Sequence, residues 1–143
     1  MVDTDELANT ISTTSFIDGI TISGGEPFLQ AKALTELTDL VKVLKPELDI
    51  IVFTGNRLET LTDHDSLSFL KNIDLLIDGE YIPELDNNKG LRGSCNQKFH
   101  FLTERLAAFR NELEQDARKS EVHWADENRR EMVIIGIPSS KTK

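Results

Sequence analysis

Apolar positions along the first half of the chain recur with two alternating periods. Gly19-Ile20-Thr21-Ile22-Ser23 is a short β-branched run with a strand signature. From Gln30 onward Leu34, Leu37, Val41 and Leu44 form one stripe at helical period, which Pro46 closes. Ile50-Ile51-Val52-Phe53 is continuously apolar, as in a strand covered on both faces, and it ends in Thr54-Gly55-Asn56. Residues 57 to 72 carry Leu58, Leu61, Leu67, Phe69 and Leu70 with Asp63 placed to cap, which predicts one short and one longer helical piece. Ile73 to Ile77 is the next apolar run, ending at Asp78-Gly79. Upstream, Asp3 and Glu6 have capping-box spacing before a helix over residues 4 to 13, where Leu7 and Ile11 lie one turn apart. The Ser- and Thr-rich stretch Thr10 to Ser15 ends it.

Strand–helix repeats, each strand closing in a glycine-bearing turn, predict an α/β fold with a parallel sheet and right-handed crossovers. In such a sheet Gly24-Gly25-Glu26, Thr54-Gly55-Asn56 and Asp78-Gly79 share one rim. The leading site candidate is Ser23 to Pro27, where a strand runs into two glycines, a lone carboxylate and a helix-starting proline. Tyr81 to Gln97 is a long polar loop with a turn signal at Asn87-Asn88-Lys89-Gly90. Residues 98 to 119 are expected to be helical, with Leu102, Leu106, Phe109 and Leu113 on one face. Val122-His123-Trp124, Asp126-Glu127-Asn128 and Met132 to Ile137 have the pattern of a β-hairpin, and the last residues that of a loose tail. Residues 1 to 143 read as a single domain.

Composition narrows the function classes. The chain has 143 residues and a net charge of -9, with 25 acidic against 16 basic residues, which argues against nucleic-acid binding. Residues 98 to 143, with 9 Lys and Arg against 8 Asp and Glu, are locally near balance. No apolar run approaches the roughly 20 residues of a membrane helix. The acidic start Met1-Val2-Asp3-Thr4-Asp5-Glu6 is unlike a signal or transit peptide. One cysteine, Cys95, fits a reducing cytoplasm and rules out a metal site built from several thiolates of this chain. His64, His100 and His123 lack ligand spacing.

Separated motifs then point one way. Ser23-Gly24-Gly25-Glu26-Pro27 resembles the S-adenosylmethionine-binding signature of the radical S-adenosylmethionine superfamily. Leu76-Ile77-Asp78-Gly79-Glu80-Tyr81, followed by Leu91-Arg92-Gly93-Ser94-Cys95-Asn96-Gln97, is similar to its branch of anaerobic ribonucleoside-triphosphate reductase activating proteins, as is the Thr54-Gly55 turn. The resemblance covers roughly residues 5 to 102. It implies an incomplete radical S-adenosylmethionine partial barrel, followed by a C-terminal helix and β-hairpin over 103 to 143. In that family a four-iron four-sulfur cluster, held by a three-cysteine loop after the first strand, cleaves S-adenosylmethionine reductively. The resulting 5′-deoxyadenosyl radical generates a glycyl radical on the large subunit of the anaerobic ribonucleotide reductase. Glu26 and the backbone of Gly24 and Gly25 would hold the methionyl ammonium, with Thr54, Gly55 and Asn56 lining the same ligand. Asp78, Gly79, Arg92, Gly93, Ser94 and Asn96 would belong to the loop or partner motif.

The three-cysteine loop and first strand of that family have no counterpart here. The expectation is therefore a truncated activating protein, inactive as written, with an exposed sheet edge beside the Ile20 strand that leads to pairing of two copies or to poor solubility. The alternative is a non-catalytic module that binds S-adenosylmethionine or a partner protein. Each candidate also has an ordinary use: Gly24 and Gly25 as a tight turn, Glu26 as a first-turn acid, Thr54, Asn56 and Asp78 as turn and cap, and Arg92, Ser94 and Asn96 as satisfiers of loop backbone.

Overall fold

A computed structural model describes residues 2–116 and 131–135. Asp3 caps helix α1 (Thr4–Thr13), its Oδ1 accepting the amides of Asp5 at 2.8 Å and Glu6 at 3.2 Å. The Thr10, Thr13 and Thr14 hydroxyls turn back onto carbonyls of the same helix, which is how a Ser/Thr-rich stretch brings it to an end. Phe16, with φ 61°, then swings the chain into strand β1 (Ile17–Ile22). A short 3-10 turn (Pro27–Gln30) leads into α2 (Ala31–Leu44), followed by β2 (Asp49–Thr54). The expected short and longer helical pieces are a 3-10 turn (Leu58–Thr60) and α3 (His64–Leu70). Asp63 caps α3, accepting the Ser66 amide at 3.0 Å and the Ser66 hydroxyl at 2.6 Å, and these bonds hold its carboxyl below the ordinary pKa. Strand β3 (Leu75–Asp78) comes next.

β1 pairs parallel with β2 and β2 parallel with β3, so sequence neighbours are sheet neighbours. Strands that step one way across a sheet with crossovers of one hand place their helices on one face. On that face Ile20, Ile22, Ile50, Val52 and Leu76 meet Ala8, Ile11, Leu37, Val41 and Phe69. The opposite face carries Ile51, Leu75 and Ile77 against buried Leu106 and part-buried Phe53, Leu91, Phe99, Phe101 and Leu113. Both faces of β2 and β3 are thus covered, as their unbroken apolar runs require.

Two expectations are corrected downstream. Residues 98 to 101 are a strand, β4 (Lys98–Phe101), antiparallel to β3 with Leu76 opposite His100 and Asp78 opposite Lys98. Phe99 and Phe101 alternate with Lys98 and His100, a period of two that serves the lower core and that the Leu102–Leu113 spacing had obscured. Helical structure begins only at a 3-10 turn (Ala107–Phe109) and continues in the short α4 (Arg110–Gln115). The Arg110 guanidinium lies 4.0 Å from the centre of the Phe101 ring.

The second correction concerns the sheet edge. Strand β5 (Glu131–Ile135) pairs parallel with β1, giving the five-stranded order β4-β3-β2-β1-β5. The edge beside Ile20 is therefore covered by the chain's own backbone, which removes the reason for pairing two copies there. The first arm and turn of the expected hairpin, Val122 to Asn128, lie outside the described residues, and the partner of β5 among the described residues is β1. Among the described residues no helix is long and apolar enough to cross a membrane.

At the sheet edge away from the glycine turns, buried Asp74 joins three segments. Its Oδ2 accepts the Ile50 amide at 2.8 Å, and its Oδ1 accepts the Thr103 hydroxyl at 2.8 Å. Arg105 reinforces the junction by donating to Asp49 Oδ1 at 2.8 Å and to the carbonyls of Pro46 and Glu47. The hydrogen bond to Asp49 raises the pKa of the Arg105 guanidinium. Asp74→Ala leaves the buried Ile50 amide without its acceptor and is expected to cost about 2–3 kcal/mol in urea denaturation. A loss within about 0.5 kcal/mol of wild type would contradict the role given to this carboxylate.

Candidate functional site

The rim at the C-terminal ends of β1, β2 and β3 is built around one carboxylate. After Ile22 the chain passes Ser23 and two glycines in the left-handed region, Gly24 at φ 76° and Gly25 at φ 44°. Side-chain-bearing residues adopt that region at a cost, so the pair is there for conformation. No heavy atom lies within 4 Å of where a Cβ on Gly25 would stand, so the turn faces open space. The turn delivers Glu26 as N-cap of the Pro27–Gln30 helix, with its Oε1 accepting the Phe28 amide at 3.1 Å. Pro27 is buried as the first residue of that turn.

Glu26 also reaches across to the end of β2. Oε1 accepts the Thr54 hydroxyl at 2.7 Å, and Oε2 accepts the Gly55 amide at 2.9 Å. Thr54 Oγ1 accepts in turn from the Asn56 amide at 3.1 Å. A carboxylate has about four lone-pair sites, and these bonds use three. One on Oε2, beside Gly55, remains for a further donor. The cap and site readings of Glu26 are thus compatible.

The end of β3 joins the same rim. Gly79 donates its amide to Asn56 O at 3.0 Å, and Asp78 Oδ2 accepts the Leu58 amide at 2.7 Å. His100 Nε2 stands 3.1 Å from Asp78 Oδ2 without hydrogen-bond alignment. Arg57 lies against Gly79, whose Cβ would sit 3.9 Å from the guanidinium carbon. Arg57 is thereby a cation at the rim.

The loop after β3 is tied to this rim by Gln97. Its Nε2 donates to Gly79 O at 2.8 Å, while its Oε1 accepts the amides of Gly93 at 2.8 Å and Ser94 at 3.1 Å. Ser94 is fully buried and accepts the Ile82 amide at 3.1 Å, and Asn96 donates to Glu80 O at 2.8 Å. Arg92 donates to Gln97 O at 3.2 Å and lies over the Phe99 ring. Gly93 admits no Cβ without displacing the Tyr81 ring, 2.8 Å away. Asp78 Oδ1, Arg92 Nε and Asn96 Oδ1 are buried without a hydrogen-bond partner among the described residues.

The structure therefore brings Ser23 to Pro27, Thr54 to Asn56 and Asp78-Gly79 together, as strand ends on one edge. Arg92, Gly93, Ser94 and Asn96 are brought beside Gly79 and Glu80, where Arg92 Nη1, Ser94 Oγ and Asn96 Nδ2 bond backbone groups of the same loop. Sequence reasoning missed the Glu26–Thr54 bond, the central place of Gln97 and the approach of His100 to Asp78. The last had a signal in the period-two pattern of 98 to 101.

A four-iron four-sulfur cluster is held by several thiolates. The chain has one cysteine, Cys95, exposed in the loop, and no group of three or more His, Cys, Asp or Glu among the described residues is arranged to hold a metal ion. The residues present do not fit such a cluster.

Comparisons with known proteins converge on one group. A family model described as a 4Fe-4S single cluster domain matches residues 2–100. The anaerobic ribonucleoside-triphosphate reductase-activating protein of Enterobacteria phage T4 is 39% identical over 95 residues, 65% of this chain and 58% of that protein. The protein of the same name from Haemophilus influenzae is 41% identical over 85 residues, 57% of this chain and 54% of that protein. That of Vibrio cholerae is 39% identical over 88 residues, 59% and 56% of the two chains. The chain thus spans little more than half the length of the curated relatives it matches. No solved structure matches it.

The backbone at the glycine turn is testable without any ligand. Gly25→Ala forces a side chain into the left-handed region and is expected to destabilise the chain by about 1 kcal/mol in urea denaturation. Equal or higher stability would show that the turn does not hold this conformation.

Proposed function

The chain belongs to the family described as a 4Fe-4S single cluster domain, and from that premise we propose that it is the S-adenosylmethionine-binding part of an activating protein for an anaerobic ribonucleoside-triphosphate reductase. The observation that carries this reading is Glu26: a carboxylate that caps the turn after β1 and accepts from the end of β2, with three lone-pair sites used and one on Oε2 left over. An ammonium meeting that lone pair gains a charge-assisted hydrogen bond at a site already organised. S-adenosylmethionine carries such an ammonium beside a carboxylate and a sulfonium. Ser23, Gly24, Gly25 and Pro27 shape the turn, and Thr54, Gly55 and Asn56 keep Glu26 in place and line the same ligand.

In this reading the chain binds and orients its ligand. With one cysteine in the chain, thiolates for a cluster would come from residues other than these 143. Asp78, Gly79, Arg92, Gly93, Ser94 and Asn96 act indirectly, fixing the loop beside the rim where the large subunit of the reductase would dock. The single cysteine favours a reducing cytoplasm. It also favours a second reading, a binding module without catalysis of its own.

Isothermal calorimetry with S-adenosylmethionine on the purified chain tests the proposal. The expected result is saturable binding that Glu26→Gln weakens by about tenfold, the loss of one charge-assisted hydrogen bond. Absence of binding by the folded wild-type chain would overturn it. Binding without capture of the reductase large subunit would favour the second reading.

A further inference from the structure

A continuous run of hydrogen bonds leads from Glu26 across the rim and into the loop after β3. Glu26 Oε1 accepts the Thr54 hydroxyl, and that hydroxyl oxygen accepts the Asn56 amide. The Asn56 carbonyl accepts the Gly79 amide, and the Gly79 carbonyl accepts from Gln97 Nε2. Gln97 Oε1 then accepts the amides of Gly93 and Ser94. The Thr54 hydroxyl and the Gln97 side-chain amide each donate and accept at once, so the bonds on either side reinforce one another. Asn56 and Gly79 are each held at both N–H and C=O, which fixes the backbone at two strand ends.

Other ties of the loop stop short of this line. Ser94 Oγ accepts the Ile82 amide and Asn96 Nδ2 donates to Glu80 O, both within residues 80–97. Among the described residues, buried Gln97 is the loop side chain hydrogen-bonded to Gly79. The joint also has reason to open. Arg92 Nε and Asn96 Oδ1 are buried in it without a hydrogen-bond partner among the described residues, a cost that opening to water relieves. A loop with an open alternative, tied to a site by one side chain, is a two-state element that the site can bias.

We infer that Gln97 is a positioning residue of the Glu26 site: through Gly79, Asn56 and Thr54 it couples that carboxylate to the order of the loop. The consequence for a ligand rests on the reading of Glu26 as the ammonium acceptor of S-adenosylmethionine. An ammonium binds tightly only where Glu26 is held in place. The ligand therefore favours the closed loop, and the closed loop favours the ligand by the same factor. The surface offered to a partner protein beside the rim is then set by whether the ligand is bound.

Amide exchange measured by NMR on the full chain tests the coupling without ligand. Thr54→Val removes the hydroxyl beside Glu26, and exchange at Gly93 and Ser94 is expected to rise about fivefold or more. Thr54→Ser keeps the hydroxyl and should leave both at the wild-type rate. In the reverse direction, Gln97→Met should speed the Gly55 and Asn56 amides by a similar factor. The Ile50 amide, held by Asp74 at the opposite edge, is the reference and should not change. Wild-type rates at Gly93 and Ser94 in Thr54→Val, or at Gly55 and Asn56 in Gln97→Met, overturn the proposal. An equal rise at Ile50 shows plain destabilisation and overturns it too. Calorimetry with S-adenosylmethionine should find binding to Gln97→Met about fivefold weaker than to wild type, and an unchanged affinity overturns the proposal. A wild-type chain that binds no S-adenosylmethionine overturns the ligand reading instead, and the coupling then stands or falls on the exchange rates.

Discussion

A single carboxylate sets the geometry of the rim. Glu26 leaves β1 through two left-handed glycines, caps the next turn and then bonds the hydroxyl and amide at the end of β2. Parallel strands are held along their length by backbone ladders, but their ends diverge into separate loops. The Glu26 contacts join two of those ends and leave one acceptor site open. Gly79 extends the junction to β3 through the Asn56 carbonyl, so three strand ends share one hydrogen-bonded edge. The organised edge and the open acceptor site therefore belong to the same group.

The opposite edge is closed in a different way. Asp74 is fully buried and spends its oxygens on Ile50 and Thr103, and Arg105 gathers Asp49 and the carbonyls ahead of β2. That edge is satisfied by groups of its own chain, which suits a structural seam. The rim is satisfied only in part. Its incompleteness, more than any single residue type, is what supports the proposed ligand at this rim.

Much of this was legible in the sequence because it depends on local periodicity and turn chemistry. The stripe from Leu34 to Leu44, the apolar run at Ile50 to Phe53 and the Asp63 cap each specify an element by themselves, and glycine turns after parallel strands specify a shared rim. What was not legible depends on partners distant in the chain. Lys98 to Phe101 forms a strand because β3 offers an edge and the lower core needs Phe99 and Phe101. The edge of β1 looked bare because its partner comes from residues 131 to 135, more than a hundred positions away. Likewise Glu26 read as a lone carboxylate, since nothing local to it announces Thr54.

The central claim is that Glu26 and Thr54 act as one unit holding the two strand ends. A double-mutant cycle with Glu26→Gln, Thr54→Val and the pair, read by urea denaturation, tests it most directly. The account predicts that the two single losses fail to add, with a coupling of about 1 kcal/mol or more. Additivity within about 0.3 kcal/mol would contradict it.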